Sequence, residues 1–482
     1  ENCCGAIILM TSGNMVSQQE SATMNFQVVV LAGGMSKNLA PLVSPEVPKA
    51  LLPVANRPVL FYVLEQLELS NLKDVIVVVE GECAAIHVGP WISGAFADRL
   101  RVLVEIVPED VGTACALRCI RHRLTAKDIL VVSGDLVTDV SLGAVAATHR
   151  RHSAAVTTML CSTPVSRPSE SGSSAAKEKV KKPRRYNIIG LDLSKQFLLY
   201  IAAGAEVEKD IRVQKSILRA AGQMEIRTDL MDAHLYAFNT SILLEILREK
   251  EKFQSLRLDV LPYLVKTQLK PVVARNGELS DENGHEKSNF INNEATVTQI
   301  LANASDPNFH DFYTSRSVDT TISRGTSKCC VYIAANSKYC SRLNSIQAYH
   351  DINIDVVGEA NHLSGYTLSA HNNIIHPTAT FGAKSTVGPH CMVGEGSQLN
   401  DKCSVKRSVI GRHCRIGSNV KIVNSVVMNY TTIGDCCSIQ NSVICSNVQI
   451  QERATLKDCQ VGASYVVAAG GEHKGDSLAR KF

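Results

Sequence analysis

Two neighbouring glycines and a downstream lysine have the chemistry to hold a phosphate group. Gly33 and Gly34 directly follow an apolar run at residues 26–32, and Lys49 lies a short distance further along the chain. Glycine has no side chain, so backbone N–H groups at such a turn can approach a phosphate closely, and a lysine ammonium supplies a charge against it. These three residues are therefore candidates for nucleotide binding.

A second set of candidates follows two later segments of the same region. Gly112 begins the segment GTACAL, and Asp135 ends the segment SGD, directly after another apolar run. A carboxylate at the end of a strand can hold a metal ion, but it is also a common cap of the backbone. Gly112 and Asp135 are therefore further candidates for a site at this end of the sheet, and we predict no metal site.

Alternating apolar runs and amphipathic segments must position these residues. Short apolar runs predict buried strands, and the stretches between them have helical spacing. The predicted strands cover residues 26–32, 74–79, 102–107, 128–133 and 154–161, and the predicted helices cover residues 57–69, 112–122 and 141–152. This alternation predicts an α/β domain with a mostly parallel sheet, whose ligands bind at the carboxyl ends of the strands.

The composition excludes several classes of protein. The chain has 482 residues, and its 50 basic and 46 acidic residues leave a net charge of +4, which gives no indication of nucleic-acid binding. No apolar run approaches the ~20 residues needed to cross a bilayer. The 16 cysteines are spread along the chain without a C-x-x-C pair, which argues against a zinc site and a disulfide scaffold and favours a reducing compartment.

The most regular feature of the sequence is a repeat in its last quarter. Apolar residues recur every six positions from Ile375 to Val405, and then in steps of five, six and six as far as Val461, so that each later coil has 17 residues. Three short strands per coil predict a triangular, left-handed parallel β-helix built from hexapeptide repeats. Small residues should then fill its interior corners; they are Ala379, Ser385, Cys391, Ser397, Cys403, Cys414 and Cys437.

Breaks in these patterns divide the chain into segments. A stretch rich in Ser, Pro and basic residues at positions 162–185 interrupts the α/β domain and is expected to be a flexible insertion without a site. The expected segments are a loose extension at 1–23, an α/β domain at 24–275, a connecting segment at 276–365, a β-helix at 366–467 and a polar tail at 468–482.

The glycine and lysine segments together resemble the opening signature of the sugar-phosphate nucleotidyltransferases. LAGGMSKNLAPL at residues 31–42 and VPKALLPV at residues 47–54 carry this resemblance, and the segments GTACAL and SGD resemble those that the family places beside the base and the metal ion. The resemblance implies a Rossmann-like nucleotidyltransferase fold. It also implies a nucleotide pocket formed by Gly33, Gly34, Lys49, Gly112 and Asp135.

The phosphate loop departs from the family pattern at two positions. The family's G-x-G-T-R motif reads GMSKN here, so Ser36 replaces a glycine and Asn38 replaces the arginine that stabilises charge on departing pyrophosphate. Loss of a transition-state cation typically costs several kcal/mol, and the geometry of Lys37 does not match that of an arginine. We therefore predict a vestigial pocket with no catalytic residue and no required cofactor.

Two further segments resemble the gamma-subunit family of eukaryotic initiation factor 2B, the guanine-nucleotide exchange factor for initiation factor 2. They are LDVLPYLVKTQ at residues 258–268 and the stretch from Cys330 to Ser345. This resemblance implies a non-catalytic subunit that pairs with the epsilon subunit and helps to bind initiation factor 2. It also implies a cytosolic heterodecamer with alpha, beta, delta and epsilon subunits, and no direct contact with nucleic acid or membrane.

Two alternative activities remain open. An active nucleotidyltransferase, similar to mannose-1-phosphate guanylyltransferase, would join a nucleoside triphosphate to a sugar phosphate with Mg²⁺, and Ser36 and Asn38 argue against it. A hexapeptide acyltransferase would need a catalytic histidine between coils, although a solvated turn position is the simpler explanation for each histidine there. The available histidines are His371, His376, His390 and His413.

Overall fold

A computed structural model of the chain describes residues 26–33, 37–44, 47–162, 187–202, 213–268, 327–369 and 371–479. The predictions for the extension, for nearly all of the insertion, for residues 276–326, and for Gly34 and Ser36 lie outside these residues. The described part contains an α/β domain and a parallel β-helix. None of its helices is long and apolar enough to cross a bilayer.

The α/β domain is built on one seven-stranded sheet. The strands of the domain are β1 (Phe26–Leu31), β2 (Pro53–Val54), β3 (Arg57–Pro58), β4 (Asp74–Glu80), β5 (Arg101–Val107), β6 (Asp128–Ser133), β7 (Leu136–Thr138), β8 (Val156–Ser162), β9 (Ile188–Leu191), β10 (Leu198–Ala202), β11 (Glu225–Arg227), β12 (Leu230–Asn239), β13 (Cys329–Ile333) and β14 (Cys340–Arg342). The order across the central sheet is β13-β8-β12-β6-β1-β4-β5. Only β12 runs antiparallel to its neighbours, so the predicted mostly parallel sheet is confirmed.

Helices cover both faces of this sheet. They are α1 (Val59–Leu69), α2 (Glu82–Phe96), α3 (Thr113–Cys119), α4 (Leu142–His152), α5 (Lys215–Ala221), α6 (Thr240–Glu249), α7 (Leu261–Thr267) and α8 (Ile346–Val357). Alternate residues of β1 point to opposite faces: Val28 and Val30 pack with α1, α2 and α4, whereas Val29 packs with α3, α6 and α7. Burial on both faces explains why the strands read as continuous apolar runs rather than as alternating patterns.

The segment predicted to connect the two domains belongs largely to the α/β domain. β13 pairs in parallel with β8 at the edge of the central sheet, and β14 pairs antiparallel with β7. The apolar, strand-forming residues of β13, CCVYI, complete the sheet and bury Cys329 and Cys330. The predicted end of the α/β domain at residue 275 therefore differs from the structure, because Cys329–Ile333 and Cys340–Arg342, which were assigned to the connecting segment, are strands of the α/β fold.

The β-helix consists of three flat sheets, one for each side of a triangular coil. The first face contains β15 (Ile374–Ile375), β18 (Met392–Val393), β21 (Val409–Ile410), β24 (Val426–Val427), β27 (Val443–Ile444), β30 (Gln460–Val461) and β33 (Ser477–Leu478). The second face contains β16 (Thr380–Phe381), β19 (Gln398–Leu399), β22 (Arg415–Ile416), β25 (Thr432–Ile433), β28 (Gln449–Ile450) and β31 (Val466–Val467). The third face contains β17 (Thr386–Val387), β20 (Ser404–Lys406), β23 (Lys421–Val423), β26 (Ser438–Gln440), β29 (Thr455–Lys457) and β32 (Glu472–Lys474).

The predicted repeat is confirmed by the register of these strands. Ile410, Val427, Ile444 and Val461 pair in sequence, each 17 residues after the last, and all are at most 1% exposed. The small residues behave as predicted from Cys391 onward, since Cys391, Ser397, Cys403, Cys414 and Cys437 are all buried, while Ala379 and Ser385 in the first coil are half-buried. These thiols are therefore packing groups of the β-helix.

The β-helix extends beyond its predicted end. Residues 468–479 were expected to begin a polar tail, but β32 and β33 add strands to the third and first faces as far as Leu478. His473 stands opposite Leu456, at a position that is aliphatic in the earlier coils. Backbone pairing, such as Gly462 N–H to Leu478 O at 2.7 Å, continues the coil where the aliphatic pattern fades.

Helix α8 joins the two domains through the first face of the β-helix. The outward side chains of Met392, Val409, Val426 and Val443 are buried because α8 and residues 39–59 cover them. His350 Nε2 of α8 lies 2.8 Å from the carbonyl oxygen of Asn424. The two domains consequently share one hydrophobic core.

A buried histidine should make the α/β domain sensitive to acid. His149 of α4 is 1% exposed, its Nδ1 lies 3.1 Å from the Thr157 hydroxyl, and burial lowers its pKa to about 4 although Asp128 favours the charged form. Its pKa in the unfolded chain is about 6.5, so the unfolded state binds a proton over a pH range in which the folded state does not. We expect the free energy of unfolding to be unaffected by His149 above pH 6.5. Protonation of this histidine in the unfolded chain should then lower the free energy of unfolding by up to about 3 kcal/mol as the pH drops toward 4.

Urea unfolding of the wild type and of the His149→Gln variant, measured between pH 7.5 and 4.5, tests this expectation. The variant should show a shallower decline, because glutamine binds no proton at this position, while His234, whose pKa is also lowered, is retained in both proteins. Parallel pH curves for the two proteins would contradict the assignment to His149.

Candidate functional site

Three elements bring the predicted lysine and aspartate together. Asp135 lies in the turn between β6 and β7, and the Gly134 N–H in that turn donates to Leu31 O at 2.8 Å, which fixes the turn to the end of β1. Lys49 begins a short 3₁₀ turn after Pro48. The side chains of Lys49 and Asp135 meet although 86 residues separate them in the sequence.

The carboxylate of Asp135 is surrounded by donors. Lys49 Nζ lies 2.5 Å from Oδ2, and the Ser133 hydroxyl donates to Oδ1 at 2.6 Å. Arg342 donates to both oxygens at 3.0 Å, through Nε to Oδ1 and through a terminal nitrogen to Oδ2. β14 positions this arginine, because Arg342 stands opposite Leu136 in the β7–β14 pair and Leu343 N–H donates to Asp135 O at 2.9 Å.

The charges in this cluster stabilise one another strongly. The Asp135 side chain is only 2% exposed, and such burial alone would raise its pKa. The Arg342 and Lys49 cations and the hydrogen bonds from Lys49 and Ser133 outweigh burial, so the pKa of Asp135 lies well below its usual range. Burial likewise opposes the charge on Arg342, but the neighbouring carboxylate raises the pKa of that guanidinium.

This donor set does not fit a divalent metal ion. Mg²⁺ and Ca²⁺ need several oxygen ligands, whereas the oxygens of Asp135 already accept from a bidentate arginine, a lysine and a serine. A metal ion at this carboxylate would have to displace two cations. Elsewhere in the described ranges, no cluster of three or more His, Cys, Asp or Glu side chains could hold a metal ion.

The two described glycines of the predicted pocket pack against the chain itself. A side chain on Gly33, at the end of β1, would lie 2.9 Å from Glu80 Cβ, and one on Gly112 would lie 2.3 Å from Gln254 O. That carbonyl accepts the Ala114 N–H at 2.8 Å, so the chain's own backbone caps the start of α3. Neither glycine therefore needs a nucleotide to explain it.

Sequence reasoning missed the second layer of polar residues around Arg342. Buried Asp232 accepts a hydrogen bond from the Tyr236 hydroxyl at 2.5 Å and another from the His234 N–H at 2.8 Å. His234 has a left-handed φ of 55° at an irregularity in the β8–β12 pairing, and burial and the Arg342 charge hold its pKa well below the usual value. The only signal for this layer in the sequence was the alternation of polar and apolar residues in β12.

A groove on the α/β domain lies apart from the Lys49–Asp135 cluster. It has a volume of about 530 Å³ and runs between the end of α3 and helix α6. Its lining includes Arg118, Arg121 and Arg248, but none of the five predicted pocket residues. Arg118 is committed to the carbonyl oxygens of Leu247, Lys250 and Phe253, which it binds at 3.0–3.3 Å. This groove is therefore not the predicted nucleotide pocket.

Two family models match the chain, one for each domain. Residues 27–278 match the nucleotidyl transferase family, and residues 370–472 match the left-handed β-helix domain described for the epsilon subunit of eIF2B. The predicted fold class is therefore confirmed for both domains.

Comparison with individual proteins distinguishes between the families that combine these two domains. A Dictyostelium discoideum protein named translation initiation factor eIF2B subunit gamma is 30% identical over 80% of this chain and 86% of its own length. The protein of that name from Schizosaccharomyces pombe is 28% identical over 80% of this chain and 75% of its own length. A heptose 1-phosphate guanylyltransferase from Aneurinibacillus thermoaerophilus matches only 24% of this chain, at 26% identity. At this identity and coverage, the chain belongs to the family of eIF2B gamma subunits.

Proposed function

We propose that this chain is the accessory, non-catalytic subunit of the guanine-nucleotide exchange factor for initiation factor 2. It acts with the epsilon subunit in the catalytic subcomplex and assembles with alpha, beta and delta subunits in a cytosolic heterodecamer. It helps to bind initiation factor 2 and contacts neither nucleic acid nor membrane. Exchange needs only that the complex bind the nucleotide-free G protein better than the loaded one, so this subunit breaks no bond.

The proposed non-catalytic role rests on the carboxylate of Asp135, whose negative charge is balanced by two neighbouring cations. In a working nucleotidyltransferase this carboxylate would hold the metal ion, whereas here Arg342 and Lys49 satisfy both of its oxygens. The lysine proposed to face phosphate is therefore committed to an internal ion pair. Asn38 and Ser36, in the phosphate loop, support the same conclusion.

The two alternative activities have weaker support. The guanylyltransferase match covers only part of one domain. Two of the four histidines considered for an acyltransferase are engaged with neighbours in the β-helix: His413 stacks on Tyr430 with ring centroids 5.3 Å apart, and His376 Nδ1 lies 2.9 Å from the Thr378 hydroxyl. Neither alternative accounts for the family relationship.

Reconstitution with the epsilon subunit tests the proposed function. Initiation factor 2 loaded with labelled GDP is mixed with epsilon alone, with this chain alone, or with the two together. We expect the pair to release GDP faster than epsilon alone and this chain alone to release none. Equal rates with and without this chain would contradict an accessory role in exchange.

A matched variant separates exchange from nucleotide chemistry at the pocket. Lys49→Met removes the lysine charge while Asp135 keeps its bidentate arginine, so we expect GDP release by the pair to stay within about twofold of the wild type. The chain should also release no pyrophosphate from GTP or ATP with a sugar 1-phosphate and Mg²⁺. Pyrophosphate release that disappears in Lys49→Met would instead establish an active nucleotidyltransferase.

A further inference from the structure

Two cysteines from distant parts of the chain meet beside Arg342. Cys161 lies near the end of β8, and Cys340 begins β14. The Cys161 thiol lies 3.6 Å from Met231 O and within hydrogen-bonding reach of the Cys340 thiol, and both side chains pack in the same hydrophobic core. Two hydrogen-bonded thiols can reach the S–S bonding distance of about 2 Å by rotation of their side chains. The two cysteines are therefore placed to form a disulfide.

The backbone around both cysteines is held by strand pairing. Cys161 stands opposite Met231 in the β8–β12 pair, and Cys340 stands opposite Thr138 in the β7–β14 pair. Side chains alternate along a strand, so Cys340 and Arg342 point to the same side of β14. Formation of a disulfide therefore requires movement of two side chains and leaves both strands paired.

The two thiols differ in their reactivity. The hydrogen bond with Cys161 lowers the pKa of Cys340, and the Thr138 hydroxyl and the Arg342 charge lower it further, although burial opposes them. The same hydrogen bond, together with burial, raises the pKa of Cys161. The thiolate is the nucleophilic form of cysteine, so the half-buried Cys340 is the thiol that reacts first. Cys161, which is 3% exposed, is the second thiol.

Other buried cysteines lack this arrangement. Cys329 and Cys330 are neighbours in β13, but they pack in different cores. In the β-helix, the Cys414 thiol donates to Met428 O at 3.2 Å, and burial raises its pKa to about 11. A reactive cysteine needs a low pKa, access to solvent and an adjacent second thiol, and these three properties coincide at Cys340.

We propose that Cys161 and Cys340 form an intramolecular disulfide when the protein meets hydrogen peroxide. The Cys340 thiolate attacks one peroxide oxygen, so an S–O bond forms as the O–O bond breaks, and the released hydroxide takes up a proton to become water. The Cys161 thiol then attacks the sulfur of the resulting sulfenic acid; the S–O bond breaks, and its oxygen leaves as water with the Cys161 proton. Two electrons pass from the thiols to the peroxide.

This modification goes beyond the proposed function and does not depend on it. The disulfide would tie β14, which carries Arg342, directly to β8. A thiol such as glutathione would reverse the reaction by exchange, so the pair would be reduced in a reducing compartment and oxidised only under peroxide.

Peptide mapping of the purified full-length chain tests the proposal. The reduced protein is treated with hydrogen peroxide, its remaining thiols are blocked with N-ethylmaleimide, and it is digested without reductant. Trypsin cleavage after Arg151, Lys338 and Arg342 places Cys161 and Cys340 each in a peptide with no other cysteine. We expect these two peptides to appear linked, with a mass lower by two hydrogen atoms than their sum, and to separate after dithiothreitol. Absence of this linked peptide from peroxide-treated wild type would overturn the proposal.

Serine variants test the order of the two steps. Cys161→Ser should accumulate the sulfenic acid at Cys340, where dimedone labels it, because the second thiol is missing. Cys340→Ser should give neither the linked peptide nor dimedone labelling at Cys161. Cys119→Ser is the matched control, since Cys119 is exposed and the linked peptide should form as in the wild type. Dimedone labelling at Cys161 in Cys340→Ser would overturn the assigned order.

Unfolding distinguishes the native pair from random oxidation. Peroxide added after unfolding in urea should give at least about tenfold less of the linked peptide, because the two thiols are then separated by a long flexible loop. In the oxidised native protein, the urea midpoint should rise, since a disulfide restricts the unfolded chain, and it should return with dithiothreitol. Equal yields from the folded and unfolded protein would show that the folded geometry plays no part.

Discussion

Replacing Arg342 with alanine is expected to lower the free energy of unfolding by about 3–5 kcal/mol. The substitution leaves the Asp135 carboxylate, which is 2% exposed, with one cation in place of two and with both bidentate hydrogen bonds lost. Removing one partner of a buried ion pair is strongly destabilising because the remaining charge is left buried without compensation. Urea unfolding followed by circular dichroism measures the loss.

A double variant distinguishes the lost ion pair from lost packing. Arg342→Met together with Asp135→Leu removes the arginine and the carboxylate and keeps apolar volume, but it leaves Lys49, which is 15% exposed, without its partner. Both the reference and the double variant are therefore made in a Lys49→Met background, in which the double variant should recover most of the stability that Arg342→Ala loses. Arg342→Lys should fall between the wild type and alanine, since lysine keeps the charge but cannot bind both oxygens in the bidentate geometry. A double variant as unstable as Arg342→Ala would show that the arginine acts through packing alone.

Replacing Tyr349 with alanine is expected to lower the free energy of unfolding by about 3–5 kcal/mol. Tyr349 of α8 is fully buried where the α/β domain meets the β-helix, and its hydroxyl donates to Pro53 O at 2.8 Å. The same helix turn holds Asn353, whose side chain accepts the Ala55 N–H at 2.9 Å. Loss of the ring therefore opens a cavity in the core that the two domains share.

The single tryptophan allows this variant to be followed in each domain separately. Trp91 lies in α2 and reports on the α/β domain by fluorescence, whereas circular dichroism reports on the whole chain. We expect the two transitions to coincide in the wild type and to separate in Tyr349→Ala, because the variant weakens the coupling between domains. Tyr349→Phe, which removes only the hydroxyl, should lose about 1 kcal/mol and keep the transitions together. Coincident transitions in Tyr349→Ala would contradict a coupling role for this side chain.

The β-helix was the part of the fold most readily predicted from the sequence. Its aliphatic residues recur at a fixed spacing, and the same spacing sets the register between coils, so a local pattern determines long-range pairing. The predicted strands of the central sheet also agree with the structure, because burial on both faces selects continuous apolar runs such as those of β4 and β6.

Elements whose formation depends on distant residues escaped prediction. α2 contains Gly89, Pro90 and Gly94, which disfavour a helix locally, but Val88 and Ile92 pack into the core of the sheet and stabilise it. β13 pairs with β8 across a sequence separation of more than 170 residues, as in Cys329 with Val156. No local signal identifies such a partner, which explains why this segment read as a connection.

The sequence predicted two residues of the candidate site but not the interactions that they make. The resemblance to the nucleotidyltransferases implied one pocket for Lys49 and Asp135, and the structure brings their side chains into contact. The sequence contained no indication that Arg342 would complete the cluster, since one arginine in a short polar segment has no distinctive pattern. Gly33 and Gly112 were interpreted as phosphate-binding glycines, whereas their neighbours show that close backbone packing also requires glycine at each.

The constant 17-residue coil makes the β-helix an adjustable spacer. Each later coil repeats the same turns, with left-handed residues such as Asn424, Asn441 and Asp458 at one corner, and adds about 4.8 Å along the axis. A deletion or insertion of one whole coil beyond those that α8 covers would therefore move whatever follows it by that distance while keeping the faces aligned. The distance between the α/β domain and the far end of the molecule can thus change in evolution, or by design, in discrete steps of one coil.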